Sequence, residues 1–187
     1  YDITIKANKV NAFDDGVATF NYGSGSTTIT ATGHIQGGVG QTDQTAKSDG
    51  IYAWNGATTK DLSITAKDVN GLDDGIVVVN NGTGAVSIEL SGDVKVTSTE
   101  LNTTSKTSDY IDDSPHYGIE VLNYGTNIDI ATIGDVTSAD RGFYAINYGS
   151  GSTTISSSGS VKASFNQSDE TYSQSGILAH NASSTTD

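Results

Sequence analysis

Few side chains in this sequence could carry chemistry. The histidines are His34, His116 and His180, and none stands beside a nucleophile motif. Neither Gly-Asp-Ser-Gly nor Gly-x-Ser-x-Gly occurs, so hydrolysis by an activated serine is not indicated. Acids are paired at Asp14–Asp15, Asp73–Asp74 and Asp112–Asp113. Calcium needs several converging oxygens, and the glycine-rich stretch Gly37-Gly38-Val39-Gly40-Gln41-Thr42 lacks the acid of a calcium-binding roll. The first two pairs therefore read as solvated turn acids. A polysaccharide-cleaving site would need clustered acids and a basic residue on one face. The single arginine, Arg141, stands next to Asp140 in a turn. No catalytic residue, no metal and no cofactor is assigned from these residues. His116, beside Pro115 and Tyr117, is the histidine best placed for a functional role.

Composition narrows the classes further. The 187 residues include 22 acids against 9 bases, for a formal charge of −13. Such a surface repels phosphate, which excludes nucleic acid as a partner. Cysteine is absent, so disulfides and thiolate metal sites are excluded. No apolar run approaches the ~20 residues of a membrane helix, and the chain is not expected to be membrane-embedded.

The elements that position these residues are repeats. A glycine, an apolar residue after it, and an asparagine five positions on occur six times, from Gly16 to Asn21, Gly50 to Asn55, Gly75 to Asn80, Gly118 to Asn123, Gly142 to Asn147 and Gly176 to Asn181. A second apolar run centres on Ile29, Ile64, Ile88, Ile130 and Ile155. A third anchor follows at Ile35, Val69, Val94, Val136 and Val161. Each unit thus reads as three short strands. The glycines are 34, 25, 43, 24 and 34 residues apart. The longer spacings hold polar insertions at about 37–48, 95–116 and 162–175. Asn21 to Ile29 recurs as Asn147 to Ile155, and Ile3 to Asp15 matches Leu62 to Asp74, so the chain opens partway through a unit.

Units of about 24 residues with period-two alternation, rich in Thr, Val, Ile and Tyr, predict an all-β fold. The specific expectation is a right-handed parallel β-helix of six to seven coils, a single segment over 1–187 with three insertions. Asn21, Asn55, Asn80, Asn123, Asn147 and Asn181 should face inward and bond from coil to coil as a structural ladder. The recurrent glycine should supply a turn conformation. The outer face of the glycine-led strand carries Ala18/Phe20, Tyr52/Trp54, Val77/Val79, Glu120/Leu122, Tyr144/Ile146 and Leu178/His180. That is too apolar for open water, so the insertions cover it or a partner does.

Stretches such as Asp74-Gly75-Ile76-Val77-Val78-Val79-Asn80-Asn81-Gly82-Thr83-Gly84, followed by Ser91-Gly92-Asp93-Val94, resemble autotransporter (type V secretion) passenger domains of the pertactin-like kind. The resemblance covers the chain outside the insertions and implies a β-helix exported to the bacterial surface or secreted. It also implies a translocator barrel C-terminal to these residues. It carries over no site residue. The expected function is binding of a host cell-surface protein or glycan, as an adhesin or a virulence-associated receptor ligand. A ligand activating a host endothelial growth-factor receptor, a carbohydrate-active enzyme and a structural spacer are the alternatives. The expected partner-binding residues are Tyr52, Trp54, Tyr144, Tyr110, His116 and Tyr117, because aromatics contact partners at low entropic cost. An array cut at both ends would also expose strand edges, which makes self-association of such a segment an expected artefact of the cut.

Overall fold

Strands of two to seven residues stack in three parallel sheets. Sheet A contains β1 (Ile3–Ala7), β4 (Thr27–Ala31), β7 (Leu62–Ala66), β10 (Val86–Leu90), β13 (Ile128–Thr132) and β16 (Thr153–Ser157). Sheet B contains β2 (Val10–Asn11), β5 (Ile35–Gln36), β8 (Val69–Gly71), β11 (Val94–Val96), β14 (Val136–Ser138) and β17 (Val161–Ala163). Sheet C contains β3 (Val17–Asn21), β6 (Ile51–Asn55), β9 (Ile76–Asn80), β12 (Tyr117–Asn123), β15 (Arg141–Asn147) and β18 (Ile177–Asn181). This computed structural model describes residues 1–43, 47–98, 116–163 and 175–182. The chain runs A to B to C in each turn, giving a right-handed parallel β-helix of six coils.

Register follows the sequence repeat. Ile5, Ile29, Ile64, Ile88, Ile130 and Ile155 form one stacked column in sheet A. Sheet B contributes Val10, Ile35, Val69, Val94, Val136 and Val161 to the same interior. Inner side chains of the middle coils are fully buried, as alternation along a strand requires. Each such isoleucine or leucine contributes about 1.5–3 kcal/mol through its burial.

The asparagines stack in register, but their bonding differs from a uniform ladder. Asn80 Nδ2 donates to Asn123 Oδ1 at 2.7 Å, and Asn123 Nδ2 to Asn147 Oδ1 at 3.1 Å. Between Asn21 and Asn55 the Thr27 hydroxyl intervenes, accepting from Asn21 at 3.1 Å and donating to Asn55 at 2.6 Å. Thr153 likewise donates to Asn181 at 2.6 Å. A threonine opening the sheet A strand reaches the amide column; beside Val86 and Ile128 the amides bond each other, and beside Leu62 Asn55 turns instead to the Lys60 and Asp61 carbonyls. Four of the asparagines also accept the N–H two residues on, at Gly23, Gly82, Gly125 and Gly149, which closes the corner.

Carboxylates form similar spines at the corners. Asp68, Asp93 and Asp135 each accept the N–H of the next coil, from Asp93, Asp135 and Ser160. Between sheets C and A, Asp2, Asp61 and Asn127 accept from Ser26, Ala85 and Ser152. Much of the acidity therefore belongs to the scaffold.

The glycine opening each sheet C strand needs a different explanation from the expected one. Among the described residues, only Gly38 and Gly40 have positive φ. At Gly75 a Cβ would lie 2.4 Å from the Gly118 carbonyl oxygen and 2.3 Å from Val94 Cγ1. Gly16, Gly50, Gly118 and Gly142 meet the same pair of obstacles. Close approach between coils, and not a left-handed turn, demands the glycine.

The insertions occupy one place. All three leave sheet B and return to sheet C, between β5 and β6, β11 and β12, and β17 and β18. Lys95 and Val96 still belong to β11, and Lys162 and Ala163 to β17, so these two insertions begin later than the sequence suggests. Coils one, three and five make the same corner with short turns. Inserted and bare coils therefore alternate, and the true repeat is a pair of coils.

Candidate functional site: the corner between sheets B and C

This corner gathers the polar side chains that the coil interior excludes. The residue before the recurrent glycine is Asp15, Asp49, Asp74, Tyr117, Arg141 and Ser175 in successive coils. The first three make a spine. Asp15 Oδ1 accepts from Asp49 N at 2.9 Å, Asp49 Oδ1 accepts from Asp74 N at 3.2 Å, and Asp74 Oδ1 accepts from Tyr117 N. Asp73 sits alongside, its Oδ1 2.5 Å from His116 Nδ1, with both side chains largely buried.

The expectation of solvated turn acids fails for Asp73–Asp74, whereas Asp14 is exposed and Asp15 half-buried. Asp49 and Asp74 are each 8% exposed. Burial first, then Asp49, Asp73 and Glu120, push the Asp74 carboxyl well above its ordinary 3.8, against the opposing Tyr117 N–H bond. One carboxylate oxygen from each of Asp49, Asp73 and Asp74 lies within 4.8 Å of the others, the ligand types and spacing a cation would need. Each of these acids already accepts a bond from a backbone N–H or faces the His116 ring.

A folded state that holds a raised carboxyl binds a proton more tightly than the unfolded chain does. Stability attributable to Asp74 is then full below pH ~4 and is lost as pH rises toward its folded value. Asp74→Asn keeps the acceptor for Tyr117 N–H and removes the titration. It should raise the melting temperature at pH 7, where the buried carboxyl is held at a cost. Thermal melts of both proteins from pH 4 to 8 check this, and their difference should vanish toward the acid end.

One coil further the corner turns aromatic and basic. Tyr117 and Tyr144 stack at 4.9 Å with an interplanar angle of 6°. The Arg141 guanidinium lies 5.7 Å from the Tyr117 ring centre and 5.2 Å from that of Tyr144, and its Nη1 donates to Tyr117 Oη at 3.1 Å. Arg141 Nε is buried without a hydrogen-bond partner among the described residues. Burial drives the Tyr117 phenol far up despite the Arg141 charge, with Glu120 and Asp140 adding to the rise. Glu120 and Asp140 are both buried. The sequence showed Arg141 only as the neighbour of Asp140; stacking brings it to Tyr117, which lies one coil away in register.

No family model, no curated protein and no solved structure matches this chain. The site therefore stands on its own geometry.

The expected binding residues divide into groups. Tyr52 and Trp54 lie on the outer face of β6, where Phe20 contacts Tyr52 at 5.5 Å and Tyr22 contacts Trp54 at 4.8 Å. Phe20 is 52% and Tyr22 76% exposed. Tyr144 lies three coils away and belongs with Tyr117 and Arg141. His116 is buried against Asp73. Tyr110 and Asp112–Asp113 lie outside the described residues. The outer face of sheet C is itself divided, since Val77, Val79, Glu120, Leu122 and Ile146 are buried whereas Phe20 is open. Phe20 was placed on this outer face by the sequence but left out of the expected binding residues, although its alternation with Thr19 set it beside Tyr52. Tyr22 and the stacked Tyr124–Tyr148 pair, at 4.8 Å, follow the ladder asparagine at the next corner. His34 is engaged with Gln36 at 3.3 Å, and His180 is exposed on β18. No helix of the described residues is long and apolar enough to cross a membrane.

Proposed function

We propose that this chain is part of an exported bacterial surface or secreted protein of the autotransporter passenger type, and that it binds a host cell-surface molecule. One observation carries this reading. Three insertions leave the same corner on alternate coils, and the sheet C they lead into carries an aromatic cluster at one end, where exposed Phe20 and Tyr22 on the first coil contact half-buried Tyr52 and Trp54 on the second. A rigid stack that places variable segments and open aromatic rings along one side suits recognition. The acid-ladder scaffold adds net negative charge, so contact with a basic patch on the partner should weaken with salt.

Fluorescently labelled protein added to cultured host cells tests this. Saturable binding is expected. Phe20→Ala, Tyr22→Ala and Trp54→Ala together should weaken it by at least about thirtyfold, the effect of one hot-spot ring. Replacing residues 99–115 with a short Gly/Ser link is the companion variant. Saturable binding untouched by either change would remove this face from consideration, and no binding at all would favour a spacer. A second reading, glycan cleavage, draws support from the grouping of Glu120, Asp140, Arg141 and Tyr117. It requires turnover of an oligosaccharide that is abolished by Glu120→Gln.

A further inference from the structure

The corner between sheets C and A has a chemistry of its own. Elsewhere the turns are acidic, with Asp14, Asp49, Asp74 and Asp140 between sheets B and C, and Asp68, Asp93 and Asp135 between sheets A and B. The turns from sheet C to sheet A, at 22–26, 56–61, 81–85, 124–127 and 148–152, hold one acid, Asp61, and one base, Lys60. The Asp61 carboxylate is engaged, accepting from Ala85 N at 2.9 Å, as Asp2 ahead of β1 accepts from Ser26 N. Every other residue of these turns is glycine, alanine, tyrosine, or a side chain bearing a hydroxyl or an amide.

The backbone holds this corner at coil spacing. Gly56, Asn81, Tyr124, Tyr148 and Ala182 each donate their N–H to the ladder-asparagine carbonyl one coil back, at 2.7–2.9 Å. Tyr124 and Tyr148 are consecutive in this column, stacked at 4.8 Å with 13° between the ring planes. Tyr124 is 50% and Tyr148 38% exposed. Rings fixed in this way meet a ligand with little further loss of rotamer freedom.

A polar row runs beside the column. The first outward side chains of sheet A lie five to seven residues further along each coil, and Ser63, Ser87, Asp129 and Thr154 pair in register. Ser63 and Ser87 are half-buried, whereas Asp129 and Thr154 are exposed. Their polar atoms face solvent, unlike those of inward Thr27 and Thr153, which bond to the amide column. Sheet A does not adjoin the corner where the insertions leave, and Tyr124 lies three coils from Tyr22 and two from Trp54. The tyrosine pair is therefore separate from the surface proposed above.

Open rings beside hydroxyls and amides, with little charge, match a neutral sugar. Its apolar C–H face packs on an aromatic ring, and its hydroxyls exchange bonds with hydroxyl, amide and carboxylate side chains. The coil rise of about 4.8 Å is close to the length of one sugar unit in an extended glycan, so successive units meet successive coils. An anionic glycan is disfavoured by a chain of formal charge −13.

We propose that the C–A corner over coils three to five binds an extended, unbranched neutral glycan, with Tyr124 and Tyr148 as its stacking platform and Ser87, Asp129 and Thr154 as its polar row. The site is independent of the host-cell reading, because purified sugars test it without cells.

Titration of the 187-residue chain with cellohexaose, mannohexaose and xylohexaose, followed by NMR of the aromatic ring protons, is that test. At least one sugar should shift the Tyr124 and Tyr148 rings saturably. Phe13, an exposed aromatic at the B–C corner, should not move, and Phe13→Ala should leave the affinity unchanged. Tyr124→Ala with Tyr148→Ala should weaken binding at least about tenfold. Ser87→Lys with Thr154→Lys keeps both rings and fills the polar row, and should weaken it at least as much. Melting curves of both double variants verify that the coils remain folded. No saturable shift with any of the three sugars would overturn the proposal, as would binding that survives either double variant. Capture of hyaluronan hexasaccharide or decaproline at the two rings, in place of the neutral sugars, would overturn it in favour of an acidic glycan or an extended peptide.

Discussion

Asn123→Ala should lower the unfolding free energy by about 3–5 kcal/mol, the cost of orphaning several buried polar groups at once. Asn123 is fully buried. Its Nδ2 donates to Asn147 Oδ1 at 3.1 Å and to Thr126 O at 3.0 Å, and its Oδ1 accepts from Asn80 at 2.7 Å and from Gly125 N at 3.2 Å. Alanine keeps none of these, and it leaves the partner amides without Asn123 in a buried column. A lost hydrogen bond at the surface costs only about 1 kcal/mol, because water replaces it. Asn181→Ala provides that comparison, since Asn181 is exposed and its oxygen accepts from Thr153. Urea unfolding of the two variants checks the contrast. Similar midpoints would show that the amide column contributes little, and that the aliphatic stack alone holds the middle coils. The solenoid makes a further expectation specific. Each coil contacts only its neighbours, so hydrogen exchange in Asn123→Ala should accelerate first at β9, β12 and β15.

Gly118→Ala is expected to be as damaging, for a steric reason. The added Cβ would lie 2.4 Å from Val136 Cγ1 and 2.6 Å from the Gly142 carbonyl oxygen. The valine can yield, but the carbonyl belongs to the next coil and moves only if the two coils separate. A loss of about 2–4 kcal/mol follows, at the upper end for single substitutions. Gly40→Ala tests whether conformation or crowding decides. Gly40 has φ +80° and no atom within 4 Å of the added carbon, so it should lose only about 1–2 kcal/mol of backbone preference. Adding Val136→Ala to Gly118→Ala should restore little, because the carbonyl contact remains. Full rescue would assign the recurrent glycine to side-chain packing with sheet B, and not to backbone contact between coils.

Much of the fold was legible because a solenoid repeats one local pattern. Ile29, Ile64 and Ile88 recur at matching places with polar neighbours, and a strand side chain two residues on shares its face. The six asparagines announced their column for the same reason. The site was less legible. Tyr52, Trp54 and Tyr144 looked like one edge, because alternation reports face and not height. The stack separates them by three coils and gives Tyr144 to Tyr117 and Arg141. The Asp73–Asp74 pair read as solvated, because corner residues have no alternation from which to infer direction. Burial of Asp74 becomes visible only once Asp49, Tyr117 and Glu120 surround it.

The sequence by itself determined the architecture: three strands per coil, the inward columns, the bare and inserted units, and the absence of disulfides. Each follows from short-range periodicity, which in-register stacking carries unchanged into three dimensions. Only the tertiary structure decided the rest. It set which amides bond directly, why glycine opens sheet C, which acids are buried, and that every insertion leaves one corner. These depend on contacts between residues 24 to 43 positions apart, such as Asn123 with Asn147 and His116 with Asp73. Stacking selects such contacts by size and shape at the corners, where no repeat in the chain records the outcome.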